Sequence, residues 1–209
     1  ASSELAGTLR IYCTVTASYS HLPALLDKFR LQCPKAEIQL TTGDASLAID
    51  RIRHDEADVA IAARPEQLPA NMYFQSIASL AVHLIAPVIP CRVNDLLAQQ
   101  PINWDDIPMI LPEHGPARSR FDDWLKQKGI RPAVVAKVDG HEALVSMVAL
   151  GSGVTIVPDP VLQHSPVRDR VRVLDAGYQY QPFDLGICML SKRTQEPLIQ
   201  HFWQLAQKN

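Results

Sequence analysis

Residues 7–63 read GTLRIYCTVTASYSHLPALLDKFRLQCPKAEIQLTTGDASLAIDRIRHDEADVAIAA, and two periodicities alternate along them. Leu9, Ile11, Cys13 and Val15 recur at every second position, the spacing of a strand. Leu22, Leu25, Leu26 and Phe29 recur at helical spacing, and Pro34 forbids continuation. A strand at Ala36 to Thr42 follows, then a helix at Asp44 to His54 with Ala45, Ala48, Ile49 and Ile52 inward, then a strand at Asp58 to Ala63. Strand, helix, strand, helix, strand predicts a parallel sheet with right-handed crossovers.

The same alternation extends outward. Met72 to Val88 reads as two consecutive extended segments, and a short helix at Val93 to Gln99 ends before Pro101. A strand near Pro108 to Leu111 precedes a helix from Ala117 to Lys128, which Gly129 closes. A strand at Ala133 to Val138, a helix at His141 to Leu150 and a strand at Gly153 to Val157 come next. Extended pieces at Val171 to Leu174 and Phe183 to Leu190 lead to a last helix at Gln195 to Ala206. The text thus holds two βαβ series, one before residue 80 and one after residue 105, and predicts a two-lobed α/β protein with two open parallel sheets.

Composition narrows the function. The 209 residues carry 20 Lys and Arg against 22 Asp and Glu, a net charge of −2, so the chain lacks the basic excess that holds nucleic acid by counterion release. The four cysteines, at 13, 33, 91 and 188, form no C-x-x-C pair; they read as small buried hydrophobes in a reducing, cytoplasmic setting. No apolar run reaches the roughly 18 residues of a membrane span. The opening ASSELAGTLR lacks a signal peptide's layout and reads over residues 1–8 as a linker from an upstream domain.

In open α/β sheets, ligands bind beyond the carboxyl ends of the strands, where helix N-termini present amides. The first such end offers Thr14, Thr16, Ser18 and Ser20. Ser18 and Ser20 suit either helix capping or an anion, whereas Thr16, at the turn itself, suits a ligand. The second, TTGDAS (41–46), offers Asp44 as an N-cap and the backbone of Ala45 and Ser46. At the third, Arg64 follows Ala63 and is either a ligand contact or a solvated charge.

The fourth, LPEHGPARSR (111–120), places Arg118 and Arg120 in a helix's first turn, after His114, Gly115 and Pro116. Cations there oppose the helix dipole at a cost of roughly 0.3–1 kcal/mol each, which a bound anion would reverse. The alternative is a surface pair of Arg118 with Asp122 or Asp123. The fifth end offers Gly140 and His141. HEALV (141–145) has Val where a zinc protease needs its second His, and no nucleophile elbow, Walker loop or G-x-G-x-x-G occurs.

These segments resemble the effector-binding domain of LysR-type transcriptional regulators. The marks are GTLRIYCTVTASYSHLPALLDKFRLQCP (7–34), EADVAIAARPE (56–66) and HEALVSMVALGSGVTIVPDPV (141–161), and the likeness runs from Gly7 to about Gln207. TTGDA (41–45), GHEALVSMVALG (140–151) and EPLIQHFW (196–203) point to those members that activate acetohydroxy acid isomeroreductase synthesis in branched-chain amino acid biosynthesis.

The resemblance implies two Rossmann-like, periplasmic-binding-protein type II-like lobes joined by two crossover strands. Lobe I would take residues 9–79 and 185–209, and lobe II residues 82–180, with hinges near 80–81 and 181–184. The effector, 2-acetolactate or 2-aceto-2-hydroxybutyrate, would lie in the interlobe cleft. Its contacts would come from Thr14, Thr16, Ser18, Asp44, Ala45, Ser46, Arg64, His114, Gly115, Arg118, Gly140 and His141. Where some family members carry Arg after the third strand this chain has Ala63, with Arg64 beside it.

No catalytic residue, metal or cofactor is implied. DNA would be reached only through a winged helix-turn-helix upstream, in a homodimer or tetramer. Two other classes share parts of this reading: a transport solute-binding protein and a small enzyme acting on oxo or hydroxy acids.

Overall fold

A computed structural model describes residues 1–207. By its internal contacts the chain divides into two units, Ala1–Ser79 with the stretch from Asp184 onward, and Leu80–Phe183. Residues 208 and 209, which the sequence reading assigns to lobe I, lie outside the described residues.

The first unit is a five-stranded sheet. Its strands are β1 (Gly7–Thr14), β2 (Ala36–Gly43), β3 (Val59–Ala63), β4 (Met72–Leu80) and β10 (Phe183–Leu190), in the order β2-β1-β3-β10-β4. β1 is parallel to β2 from Gly7↔Ala36 to Thr14↔Gly43 and parallel to β3, whereas β10 enters antiparallel, with Ile187 opposite Ile61. Both faces of β1 are buried, as a sheet covered on two sides requires. Tyr12 packs with Ala48 and Ile52 of α3 (Ala48–Arg53). Alternation turns Leu9, Ile11 and Cys13 the other way. The helix α2 (Leu22–Gln32) buries Leu22, Leu25, Leu26 and Phe29 as its spacing predicts, and meets α8 (Pro197–Gln207) through an edge-on Phe29–Phe202 pair at 5.6 Å.

The second unit holds β5 (Val82–Pro87), α4 (Arg92–Leu97), β6 (Pro108–Pro112), α5 (Pro116–Lys128), β7 (Ala133–Val138), α6 (His141–Ala149), β8 (Thr155–Pro158), α7 (Asp159–His164) and β9 (Val171–Val173). β5 lies between β8 and β9, antiparallel to both, while β6 and β7 pair in parallel. α6 covers them with Leu144, Val145 and Val148, packed on Ile85, Ile110 and Val157.

Several expectations change. The second unit is not an open parallel sheet, because β5, β8 and β9 run antiparallel, and β10 makes the first sheet mixed. Val15 leaves the strand: pairing ends at Thr14, which directly precedes the short helix α1 (Val15–Ser20) without a side-chain capping bond, and Val15 is exposed. The helix expected from Asp44 opens as a 3-10 turn at Ala45–Leu47, because the Asp44 carboxylate takes the Ser46 amide at 2.7 Å. The strand expected at Gly153 begins at Thr155, and α7 follows it where no helix was read. Within residues 1–8 a 3-10 turn forms at Ser2–Glu4, Glu4 pairs with Lys35 at 2.9 Å, and β1 opens at Gly7, two residues before the expected strand. All four cysteines are free; burial alone pushes the Cys13 thiol to about 12 and is the main reason Cys188 rises to about 11, so both stay neutral.

Candidate ligand site

In the first unit the parallel pairing of β1, β2 and β3 brings their carboxyl ends to one end of the sheet. Thr14 stands opposite Gly43, so the turn carrying Thr14, Thr16 and Ser18 lies beside the one carrying Asp44, Ala45 and Ser46. Arg64 follows β3 at the same end.

Tyr12, which sequence reasoning did not single out, organises this end. Its hydroxyl donates to the Asp44 carbonyl at 2.6 Å, and burial raises its pKa so that it remains a donor. Gly43 makes room: a Cβ there would fall 2.5 Å from the Tyr12 oxygen. The signal was present, since a tyrosine two residues before a strand end carries a hydroxyl that needs a partner.

The side chains are more committed than the sequence suggests. Ser18 Oγ donates to the Val15 carbonyl at 2.5 Å and Ser20 Oγ to the Thr16 carbonyl at 2.8 Å. Both serines therefore bond back along α1 instead of capping a helix. Thr16 is buried in the first turn of α1. His21 Nδ1 lies 2.9 Å from Ser20 Oγ, and burial lowers the ring's pKa. The Ser46 amide donates to Asp44 at 2.7 Å, so the expected backbone donor at this position is already engaged. Arg64 lays its guanidinium over the Phe74 ring, 5.3 Å from the centroid, while its amide donates to Asp184.

In the second unit the ends of β6 and β7 adjoin, Pro112 pairing with Val138 and the Glu113 amide donating to the Val138 carbonyl at 3.0 Å. This sets the turn of His114 and Gly115 beside that of Gly140 and His141. His114 Nε2 is 3.8 Å from an Asp139 oxygen. Gly115 and Gly140 precede their helices with φ of 86° and 93°, which favours glycine at both.

Arg118 takes the surface-pair arrangement. Its Nε donates to both oxygens of Asp122, at 3.0 and 3.2 Å, and Nη1 to the Pro112 carbonyl at 3.3 Å. These bonds hold the guanidinium at the β6 end and do not use Nη2. Arg120 turns instead to the returning chain, donating to the carbonyls of Gln181 at 3.0 Å and Pro182 at 3.3 Å. Each unit thus gathers its own predicted residues at one strand-end edge, rich in hydroxyls in the first and in amides and a guanidinium in the second.

The chain matches the LysR substrate binding domain family over residues 2–209. It is 47% identical over 205 residues to the HTH-type transcriptional regulator IlvY of Escherichia coli K12, covering 97% of this chain and 69% of that one. Among solved structures it is similar to the cofactor-binding domain of the Cbl transcriptional regulator, with a TM-score of 0.79, 21% identity, and coverage of 99% and 90%. It is also similar to the effector-binding domain of QuiR in complex with shikimate, with a TM-score of 0.79, 15% identity, and coverage of 98% and 97%. These likenesses show the fold, α/β of the periplasmic-binding-protein type II-like kind. The chain belongs to the LysR substrate-binding domain family, a regulatory domain of transcriptional regulators rather than an enzyme.

Proposed function

We propose that the chain senses a small acetohydroxy acid, 2-acetolactate or 2-aceto-2-hydroxybutyrate, for a transcriptional activator of branched-chain amino acid biosynthesis. The observation that carries this reading is the 47% identity to a regulator named IlvY along nearly the whole chain. Such a ligand has a carboxylate, a hydroxyl and a ketone, all acceptors of hydrogen bonds. The hydroxyls of Thr14, Thr16 and Ser46 and the Nη2 of Arg118 are donors of the matching kind. Contacts from His114, Gly115, Gly140, His141, Ser18, Asp44, Ala45 and Arg64 belong to the same proposal.

In this reading the units act as lobes hinged near residues 80–81 and 181–184 around one ligand. The ligand shifts the balance of lobe arrangements only by its differential affinity for them. The intact regulator would work in the cytoplasm as a homodimer or tetramer and touch DNA through a winged helix-turn-helix outside this chain.

Titration calorimetry with 2-acetolactate tests the assignment. Arg118→Ala is expected to weaken binding more than tenfold, about 1.4 kcal/mol. The melting temperature should hardly change, because an exposed i,i+4 pair with Asp122 is worth only about 0.3–0.5 kcal/mol. Thr16→Val, near-isosteric at a buried position, should weaken binding without lowering stability. Wild-type affinity in both variants would defeat the site.

A further inference from the structure

The second unit contains a cavity of about 780 Å³ that the reading above leaves unused. One wall is α5, presenting Arg120, Asp123, Lys126 and Gln127; the other is the chain from Tyr178 to Pro182. The two walls are bound together by the Arg120 bonds to Gln181 and Pro182 and by the Arg120 guanidinium stacked 5.2 Å from the Phe183 centroid.

Two features of the lining point to a ligand. Asp123 and Lys126 are both exposed, three residues apart on one helix face, yet among the described residues neither side chain has a hydrogen bond or ion pair. Opposite charges so placed normally pair across a helix turn, and left apart they offer an anion and a cation to one molecule. The facing wall is aromatic: Tyr178 and Tyr180 stand edge-to-face at 4.9 Å, and Tyr180 is wedged in turn against Trp124 at 6.0 Å. Rings braced in this way give a rigid apolar surface with little ordering cost on binding.

We infer that this cavity binds a free α-amino acid with an apolar side chain, its ammonium at Asp123, its carboxylate at Lys126 and its side chain against Tyr178 and Tyr180. A purely anionic ligand would leave Asp123 facing a carboxylate, and a purely cationic one would set Lys126 against an ammonium, so the lining selects the zwitterion. The Gln127 and Gln179 amides can serve either end.

L-phenylalanine is the probe, titrated into the 209-residue chain with 3-phenylpropionate and phenethylamine as its one-charge analogues. Phenylalanine should bind saturably and at least tenfold tighter than either analogue. Asp123→Asn should weaken phenylalanine at least fivefold and leave 3-phenylpropionate unchanged or improved. Lys126→Gln should weaken phenylalanine similarly and spare phenethylamine. Both variants alter exposed helix positions, so unchanged melting and unchanged 2-acetolactate affinity are expected alongside, which separates this site from the strand-end site. No saturable phenylalanine binding up to about 10 mM, weaker than the millimolar range of a poor specific ligand, would overturn the inference. So would affinity insensitive to both substitutions, or 3-phenylpropionate bound as tightly as phenylalanine.

Discussion

Asp58→Ala is expected to destabilise the first unit by about 3 kcal/mol, because it strips the buried partner from two guanidinium groups. The Asp58 carboxylate, 7% exposed, accepts from the Arg10 amide at 2.8 Å, from Arg10 Nη2 at 2.8 Å and from Arg193 Nη2 at 2.9 Å. It thereby ties β1 to the start of β3 and to the turn that leads into α8. Arg10 keeps Asp55 and Arg193 keeps Glu196 in the variant, which holds the cost below that of two wholly abandoned charges. Asp58→Asn should lose roughly half as much, since one oxygen remains.

Burial would raise the Asp58 pKa, but the bonds from Arg10 and Arg193 outweigh it and hold the carboxyl below its ordinary value. A depressed carboxylate stabilises the fold above its unfolded pKa near 4 and loses that contribution as pH falls through the lower folded value. Wild type and Asp58→Asn should therefore converge in stability on acidification below about pH 4 and differ fully at neutral pH. Urea denaturation at pH 7 and pH 3 checks both statements; parallel curves with a constant gap would refute the ion-pair account.

Gly186→Ala should cost about 3 kcal/mol, the upper end for overpacking a tight site. Gly186 lies in β10 opposite Ala62, and a Cβ there would collide with the Gln75 carbonyl oxygen of β4 and with the Phe74 ring. Backbone on one side and a partly buried ring on the other leave little room to yield. Phe74 also carries the Arg64 guanidinium, so the displacement reaches the strand-end site. Phe74→Leu added to Gly186→Ala should restore part of the stability, because it removes the ring but not the carbonyl. A Gly186→Ala change within 0.5 kcal/mol of wild type, the ordinary range for a surface substitution, would show that the strands can part there.

How much of this was legible depends on range. β1, β2 and β3 were readable because alternation and turn residues are local, and their parallel sense, though not their order, followed from the helices between them. The insertion of β10 between β3 and β4 was not, because its partners lie more than 100 residues away and nothing in FDLGICML names them. α7 was missed for the opposite reason: six residues with a proline at the second position give too short a pattern to show a helical period.

At the site, the rule of strand carboxyl ends located the residues but not their hydrogen bonds. Arg118 had two partners in prospect, and the i,i+4 geometry of α5 gave its Nε to Asp122. Ser18 turned inward because a serine in a helix's first turns reaches the carbonyl behind it. Arg120 could not have been read at all, since Gln181 and Pro182 reach it only through the folded return of the chain.

An amide NMR titration of the chain with 2-acetolactate, with pyruvate as control, reads ligand position directly. Saturable shifts should cluster at Thr14, Thr16 and Ser18, at Asp44 to Ser46, and at Gly115, Arg118, Gly140 and His141, with pyruvate producing few. Shifts confined to other residues, or none that saturate, would contradict an acetohydroxy acid seated at these strand ends.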